Sequence, residues 1–330
     1  MSGPALSVII PCRLAGAAGV ETRGALLRLT LVALDCQTTP KDEFEVVLVD
    51  DGSDIELAGF LADHAHEHPS LRLRILRNPG PVHSQSRAYN LGLAAARGRL
   101  VLLCTDDSLL APDAVAGHIA AHGRHGDSAY VCGLEWQYVY SVLFRDAIAG
   151  TLHPQGDLAV RAFGSLLGFA DLRRTAEQLG FTDWSVSPDH VRYHYAELRR
   201  RGALTPAFED MYRELESERT DLRWLAVRMG NHSIGRHALQ SIGDLDEEVD
   251  GGNSDQDLGL RLQEAGLPIA VDRGIHSVLL EHRRGLRSFA GDSGLVKLAA
   301  RWPRPEVEKL REYFSPGYER SISAYRRLLD

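Results

Sequence analysis

Two runs of acids stand where short apolar runs end, and they are the residues of this chain best suited to chemistry. Asp50, Asp51 and Asp54 lie in DDGSD, directly after the apolar run from Phe44 to Val49. Asp106 and Asp107 follow LVLLC at residues 100–104. Open α/β sheets bind ligands outside the carboxyl ends of their strands. Carboxylates there can accept hydrogen bonds from ribose hydroxyls or a base N–H. Magnesium and manganese prefer carboxylate and phosphate oxygens. Acids at the ends of two strands therefore suit one diphosphate-bearing ligand and its cation. Either cluster alone is explained by a turn, because Asp, Gly and Ser are ordinary turn residues. Two clusters on one sheet edge are harder to explain that way.

The elements needed to carry these acids can be read from the periodicity. LSVIIPC (6–12) and FEVVLV (44–49) have no alternation and read as strands buried on both faces. Between them, residues 22–36 place leucines at three- and four-residue spacing, as a helix packed on a sheet would. Residues 55–67 read as helical. LRLRILRN (71–78) alternates Leu and Arg, which suits a strand near a sheet edge. Ser84 is placed to cap a helix over 86–97 that Gly98 stops. A strand over 100–104, a helix over 112–124 begun by Pro112 and a strand over 129–134 complete the series. Alternating strands and helices predict a mostly parallel central sheet flanked by helices.

The remainder of the chain changes character. Residues 136–226 are rich in aromatics, His and Arg, with helical charge spacing in RRTAEQLG and FEDMYRELESERTDLRWLAVR. They read as a largely helical insertion. Sheet-type sequence resumes near 227, a helix is expected over 254–266 and a short strand over 268–272. Residues 286–330 read as a polar, helical tail. Four parts follow: a ligand-binding part over 1–135, the insertion over 136–226, a second part of the same domain over 227–285, and the tail over 286–330.

Composition narrows the class. The chain has 330 residues, 44% of them apolar, and a formal net charge of −8. That balance permits a sizeable core and argues against broad nucleic-acid binding, which needs a basic footprint. Cys12, Cys36, Cys104 and Cys132 show no metal-ligand spacing and read as reduced structural thiols of a cytoplasmic protein. The N-terminus does not read as a signal peptide. No apolar run reaches the ~18 residues of a membrane span.

Taken in order, these segments resemble the inverting family 2 glycosyltransferases, whose fold is the Rossmann-like, nucleotide-sugar-binding GT-A fold. SVIIPC (7–12) is similar to the family's first strand. TLVALDCQTTPKDEFEVVLVDDGSD (30–54) follows its helix, Gln-Thr turn and second strand. RAYNLGLAAARGRLVLLCTDD (87–107) resembles its Asn-x-Gly helix and the strand leading to the metal motif. GNHSIGRHALQSIGDLDEEVDGGNSDQDLGLRL (230–262) resembles the segment that ends in its Glu-Asp base motif. Each match is weak alone; their order and spacing together are specific.

The resemblance implies a role for each matching residue. Pro11 and Arg13 would lie at the nucleotide edge. Asp50 and Asp51 would hold base and ribose, with Asp54 just beyond. Arg87 and Asn90 would lie near the diphosphate or sugar. Asp106, with Asp107 and the later His282, would hold Mn²⁺ or Mg²⁺; His276 is the competing histidine. Asp255 would be the general base. Two departures stand out: Cys104 replaces the first acid of the Asp-x-Asp metal motif, and Ser254 replaces the Glu of Glu-Asp.

The activity implied is transfer of a hexosyl or N-acetylhexosaminyl group from a nucleotide-sugar, with UDP as the expected nucleotide, to a hydroxyl of a soluble acceptor. That acceptor would be a saccharide, a peptide or a small metabolite, and the chain leaves room for a homo-oligomer. The insertion, with Trp184 and Tyr193, would bind the acceptor. Trp136, Tyr138 and Tyr140 alternate like one face of a strand and read as core or as a stacking surface. Two other readings are a sugar nucleotidyltransferase and an inactive nucleotide-sugar-binding scaffold. The first would want a Gly-rich loop with Arg and Lys after the first strand, and LAGAAG (14–19) has no Lys.

Overall fold

Seven consecutive residues of the second strand, β2 (Phe44–Asp50), are buried, and the fold is arranged to cover them. Its one awkward side chain, Glu45, is satisfied in place. It accepts from Ser7 Oγ at 2.7 Å, from the Arg97 N–H at 2.7 Å and from Arg74 at 3.0 Å. A charge can remain inside a sheet only with such partners. A computed structural model describes residues 3–80, 83–139, 185–202, 204, 206–249, 253–282, 293–313 and 322–330.

Strand β1 (Leu6–Cys12) pairs in parallel with β2 on one side and β4 (Leu100–Leu103) on the other. Strand β3 (Leu73–Arg77) is the parallel outer strand beyond β2, as its Leu–Arg alternation predicts. Helix α1 (Gly16–Asp35) is longer than the leucine spacing suggests. Leu27, Leu31 and Leu34 pack on β1 and β2, while Leu26, Leu29 and Val32 face a second cluster. The expected helix over 55–67 is two short ones, α2 (Leu57–Phe60) and α3 (Ala62–Glu67). Helix α4 (Gln85–Ala95) starts at Ser84, whose hydroxyl accepts from the Arg87 N–H as expected of an N-cap. Gly92 lets α4 approach the sheet: a Cβ there would stand 2.4 Å from Ile9 Cγ2.

After β4 the sheet ceases to be a simple parallel series. A three-residue strand, β5 (Ser108–Leu110), follows Asp107 directly. Helix α5 (Ala114–His125) leads to β6 (Tyr130–Val139), which continues through Trp136 and Tyr138. Tyr138 is core, and Trp136 is partly buried with the Arg199 guanidinium 5.3 Å above its ring. Tyr140 lies outside the described residues. Helices α6 (Pro188–Tyr193), α7 (Tyr195–Arg201) and α8 (Pro206–Glu216) precede a 3-10 turn over Arg223–Ala226. Strand β7 (His232–Gly235) and helix α9 (Arg236–Ser241) come next. Helix α10 (Ser254–Glu264) then leads into β8 (Ile269–Glu281). The short strand expected over 268–272 is therefore thirteen residues long. Its extra length is paired, to β6 in parallel and to β5 in antiparallel register.

The full sheet has eight strands in the order β3-β2-β1-β4-β7-β6-β8-β5. Four pairings are parallel, and the three made by β7 and β5 are antiparallel. The C-terminal segment is helical, in α11 (Ser293–Arg301), α12 (Pro305–Glu308), α13 (Leu310–Tyr313) and α14 (Ile322–Leu329). It is less polar in effect than its composition suggests. Leu298, Leu310, Ile322 and Tyr325 pack around the fully buried Trp224 and Leu260 of α10. Among the described residues no helix is long and apolar enough to cross a membrane.

Candidate active site

The carboxyl ends of β1, β2 and β4 point to one rim, and the acids read from the sequence collect there. The Asp50 carboxylate accepts from the Ser53 N–H at 2.8 Å and from Arg77 at 3.0 Å. Asp51 accepts from the Asn78 amide at 2.7 Å, from the Ser84 N–H at 3.1 Å and from the His83 ring. The second acid thus anchors the loop that opens α4. Asp54 accepts from the Gly16 N–H at 2.7 Å, and Ser53 Oγ accepts from the Leu14 N–H at 2.9 Å. These bonds tie the start of α1 to the DGSD turn. Pro11 is in register with Val49 inside the sheet. The exposed Arg13 donates to the Gly52 carbonyl at 3.3 Å.

The metal-motif acids lie beside this corner. Burial raises the Cys12 thiol well above its usual pKa, and the nearby Asp106 and Asp50 carboxylates raise it further, so both acid clusters act on one atom at the end of β1. Asp106 and Asp107 are almost fully buried, as is His282. His282 Nδ1 stands 3.6 Å from Asp107 and 3.1 Å from the Leu280 carbonyl. His276, the competing histidine, is in β8, where its carbonyl accepts from the Ala111 N–H. Sequence reading missed a third partner: Arg23, on the second turn of α1. One guanidinium nitrogen donates to Asp106 Oδ1 and another lies 2.9 Å from His282 Nε2. The Asp106 charge holds Arg23 even more firmly protonated than usual.

The donor set suits a divalent cation in kind. Two carboxylates and an imidazole are oxygen and nitrogen ligands of the sort manganese accepts. Cys104, which replaces the first acid, is fully buried; burial and the Asp107 charge push its thiol far up, and its Sγ lies 3.5 Å from the Thr105 carbonyl. In position the set serves the guanidinium. Among the described residues no three His, Cys, Asp or Glu side chains close on a common ion position.

The third corner carries the expected base. Asp255 lies in the first turn of α10, partly buried, with Ser254 Oγ 3.0 Å from Ser86 Oγ of α4. Burial pushes the Asp255 carboxyl up to about 6, and Arg228 and the Met229 backbone partly offset the rise. Its Oδ1 is buried and meets no hydrogen-bond donor among the described residues. Arg228 also faces the buried Glu135 of β6 at 3.4 Å. Sequence reading missed Glu135 and Arg228. Glu135 is the only charged residue of YVCGLEWQYV, and that was the one available signal for the first. Tyr89, on α4, joins the corners: its hydroxyl lies 3.1 Å from the Cys104 carbonyl and 2.9 Å from that of Met229. Neighbouring Asp257 is committed elsewhere, to Arg261 at 2.9 Å and to the Trp302 indole at 3.0 Å. Asp250 lies outside the described residues.

Arg87 and Asn90 both turn to the segment before α10. Arg87 pairs with Glu247 at 2.6 Å. Asn90 exchanges two hydrogen bonds with the Leu245 backbone, at 2.9 and 2.8 Å. Tyr193 on α6 is 73% exposed, and Trp184 lies outside the described residues.

A curled mixed sheet flanked by helices, with acids along its carboxyl rim, defines the fold class: GT-A. The fold matches that of the mannosyltransferase PcManGT from Pyrobaculum calidifontis, solved with GDP-Man and Mn²⁺. That match has a TM-score of 0.56 at 17% identity, over 99% of this chain and 74% of that one. It also matches GalNAc-T7, solved with UDP, GalNAc and Mn²⁺, at a TM-score of 0.55 and 13% identity, over 94% and 54% of the two chains. Residues 7–159 match the family model described as glycosyl transferase family 2. Over those residues, just under half of its length, the chain is similar to family 2 glycosyltransferase domains. Among curated relatives, an uncharacterized glycosyltransferase, YfnE, of Bacillus subtilis is 28% identical over 75% of this chain and 59% of its own length. Validoxylamine A glucosyltransferase of Streptomyces hygroscopicus subsp. jinggangensis is 25% identical over 97% of this chain and 65% of its own. The chain thus spans less than two thirds of the length of these relatives.

Proposed function

We propose that the chain transfers a sugar from a nucleotide-sugar, with UDP as the nucleotide, to an acceptor hydroxyl, with inversion at the anomeric carbon. The observation that carries this reading is that three acid groups are chained through two side chains: Asp50, Asp51 and Asp106 act on the Cys12 thiol, and Asp106, Asp107 and Asp255 act on the Tyr89 phenol. Asp50 and Asp51 would take the nucleoside, with Pro11, Arg13 and Asp54 around it. Arg87 and Asn90 would hold the loop at 245–247 against the sugar. Held by Asp106, Asp107 and His282, Mn²⁺ or Mg²⁺ would neutralise the charge that gathers on the departing diphosphate.

Asp255 is the base of the reaction. The acceptor oxygen attacks the anomeric carbon as the bond from that carbon to the diphosphate oxygen breaks. The hydroxyl proton passes to the Asp255 carboxylate. A carboxyl raised to about 6 is a stronger base than an ordinary Asp and is still mostly ionised at neutral pH. The raised value and the unpartnered Oδ1 support this role over simple capping. The acceptor side would be formed by the segment over 136–226, where exposed Tyr193 offers a stacking face. The four free cysteines, three of them buried, suit a cytoplasmic site.

Release of nucleoside diphosphate from a panel of UDP- and GDP-sugars, with and without Mn²⁺, tests the proposal. Release of UDP is expected. Pyrophosphate-dependent exchange would indicate a nucleotidyltransferase instead, and no turnover of any donor would indicate a scaffold.

A further inference from the structure

Arg23 stands where the family resemblance puts a cation. Its guanidinium bridges Asp106 Oδ1 and His282 Nε2, residues 83 and 259 positions away in sequence. Its side chain is 33% exposed, against 3% for Asp106 and 2% for His282, so the group that can leave is the arginine. A buried carboxylate needs a positive partner, and a guanidinium or a divalent ion satisfies that need equally well in kind. The same two atoms cannot serve both at once. Arg23 is also linked to the nucleoside corner. The helix that bears it begins at Gly16, whose N–H donates to Asp54, and Leu14 just before it donates to Ser53.

We propose that Arg23 is the resident counter-cation of the donor site, and that its guanidinium and a divalent metal ion are alternative occupants of the gap between Asp106 and His282. The inference rests on the donor-site reading above and adds a positioning residue to it. Metal enters only as Arg23 gives up Asp106. A nucleoside diphosphate makes that exchange easier, because its phosphate oxygens offer the displaced guanidinium a new anion. Metal and nucleotide therefore bind with positive coupling, and Arg23 is the source of part of it.

The test is Mn²⁺ binding measured by calorimetry on the donor-free protein, followed by the same titration with UDP present. Mn²⁺ is the probe because one of the three ligands is a nitrogen. Arg23→Gln should tighten Mn²⁺ binding about tenfold, or ~1.4 kcal/mol, and should shrink the further gain that UDP gives the wild type. Arg23→Lys keeps the charge but makes one contact instead of two. It should tighten Mn²⁺ by a smaller factor, and it carries the test if the glutamine variant does not fold, which a thermal midpoint will show. Equal or weaker Mn²⁺ binding in the folded variants overturns the exchange. UDP affinity of Asp51→Ala, measured without metal, separates the two claims. If it is unchanged while Arg23→Gln tightens Mn²⁺, the nucleotide reading fails and the exchange stands. If it falls while Arg23→Gln leaves Mn²⁺ unchanged, the exchange fails and the nucleotide reading stands.

Discussion

The half of the sheet from β1 to β4, the proposed nucleoside side, and the half from β5 to β8, the proposed acceptor side, position their acids by different means. On the nucleoside side each acid sits at the end of a strand whose parallel neighbours come from the next βαβ unit. Connections there are short, so the carboxyl ends align as a consequence of local geometry. On the acceptor side the pairings reach across the chain: β4 with β7, β6 with β8, and β5 back to β8. The β6–β8 register also shifts between Gly133 and Leu134, just before Glu135. Placement of Asp255, Glu135 and His282 therefore depends on long-range register. Damage on that side should disturb chemistry, whereas damage on the nucleoside side should disturb binding.

Asp255→Asn is the strongest test of that contrast. Turnover should fall ~10²-fold or more, the lower range for removing a general base, with UDP affinity near the wild-type value. The stability effect has the opposite sign. A carboxyl raised to about 6 by burial favours the folded state in its protonated form, so its contribution is lost as pH rises through about 6. The asparagine variant should therefore melt no lower than wild type at pH 7.5, and higher if the burial effect dominates the lost cap. The gap should narrow toward pH 5. In the wild type, transfer rate should rise with pH through about 6. A transfer rate within twofold of normal in Asp255→Asn would remove the residue from the chemistry.

A matched pair of glycine substitutions sharpens the comparison. At Gly92 a new Cβ would stand 2.4 Å from Ile9 Cγ2, and at Gly259 one would stand 2.3 Å from the Trp224 carbonyl. Either Gly→Ala change should cost about 1–3 kcal/mol by overpacking, read from denaturant midpoints. Gly259 is in the helix that carries Asp255, and its obstacle is rigid backbone. Gly259→Ala should also lower turnover several-fold at saturating donor, while Gly92→Ala should leave turnover intact. Equal effects on turnover would erase the distinction between the two sides.

Asp51→Ala should weaken UDP binding about tenfold or more, in line with the ~1.5–3 kcal/mol of a hydrogen bond to a charged group. It should also lower the thermal midpoint, because the Ser84 N–H and the Asn78 amide lose their acceptor. Arg77→Ala is the mildest change. Its partner Asp50 is buried but Arg77 is 58% exposed, so the pair should contribute less than ~1 kcal/mol to stability. UDP affinity should shift by no more than a few-fold.

The same division explains which features could be read from the sequence. Strands β1 and β2, the sheet-edge strand β3, the Ser84 cap and the acids at 50–54 and 106–107 follow from composition and period alone. Strand β5 could not be read, because three residues have no period and Ser108 is in the sheet only through Leu279. The length of β8 was hidden for the same reason. Arg23 was not singled out in the sequence, since nothing local points to partners so distant in the chain. Asn90, which the resemblance puts near the diphosphate or sugar and which also reads as a helix-face amide bonded to a neighbouring loop, bonds to the Leu245 backbone; the sequence could not say which loop.

Tyr89 has one hydroxyl hydrogen and two carbonyl oxygens within reach, those of Cys104 and Met229. A single proton shared in this way holds each oxygen less tightly than a dedicated bond, but it holds whichever is nearer at the moment. The phenol therefore works as a buried bracket between two chain segments far apart in sequence. Through it the end of β4, next to Asp106, and the segment before β7, next to Arg228, are held to the same helix. Tyr89 thus adds a side-chain tie beside the β4–β7 ladder, in the helix whose Ser86 also meets Ser254 next to Asp255.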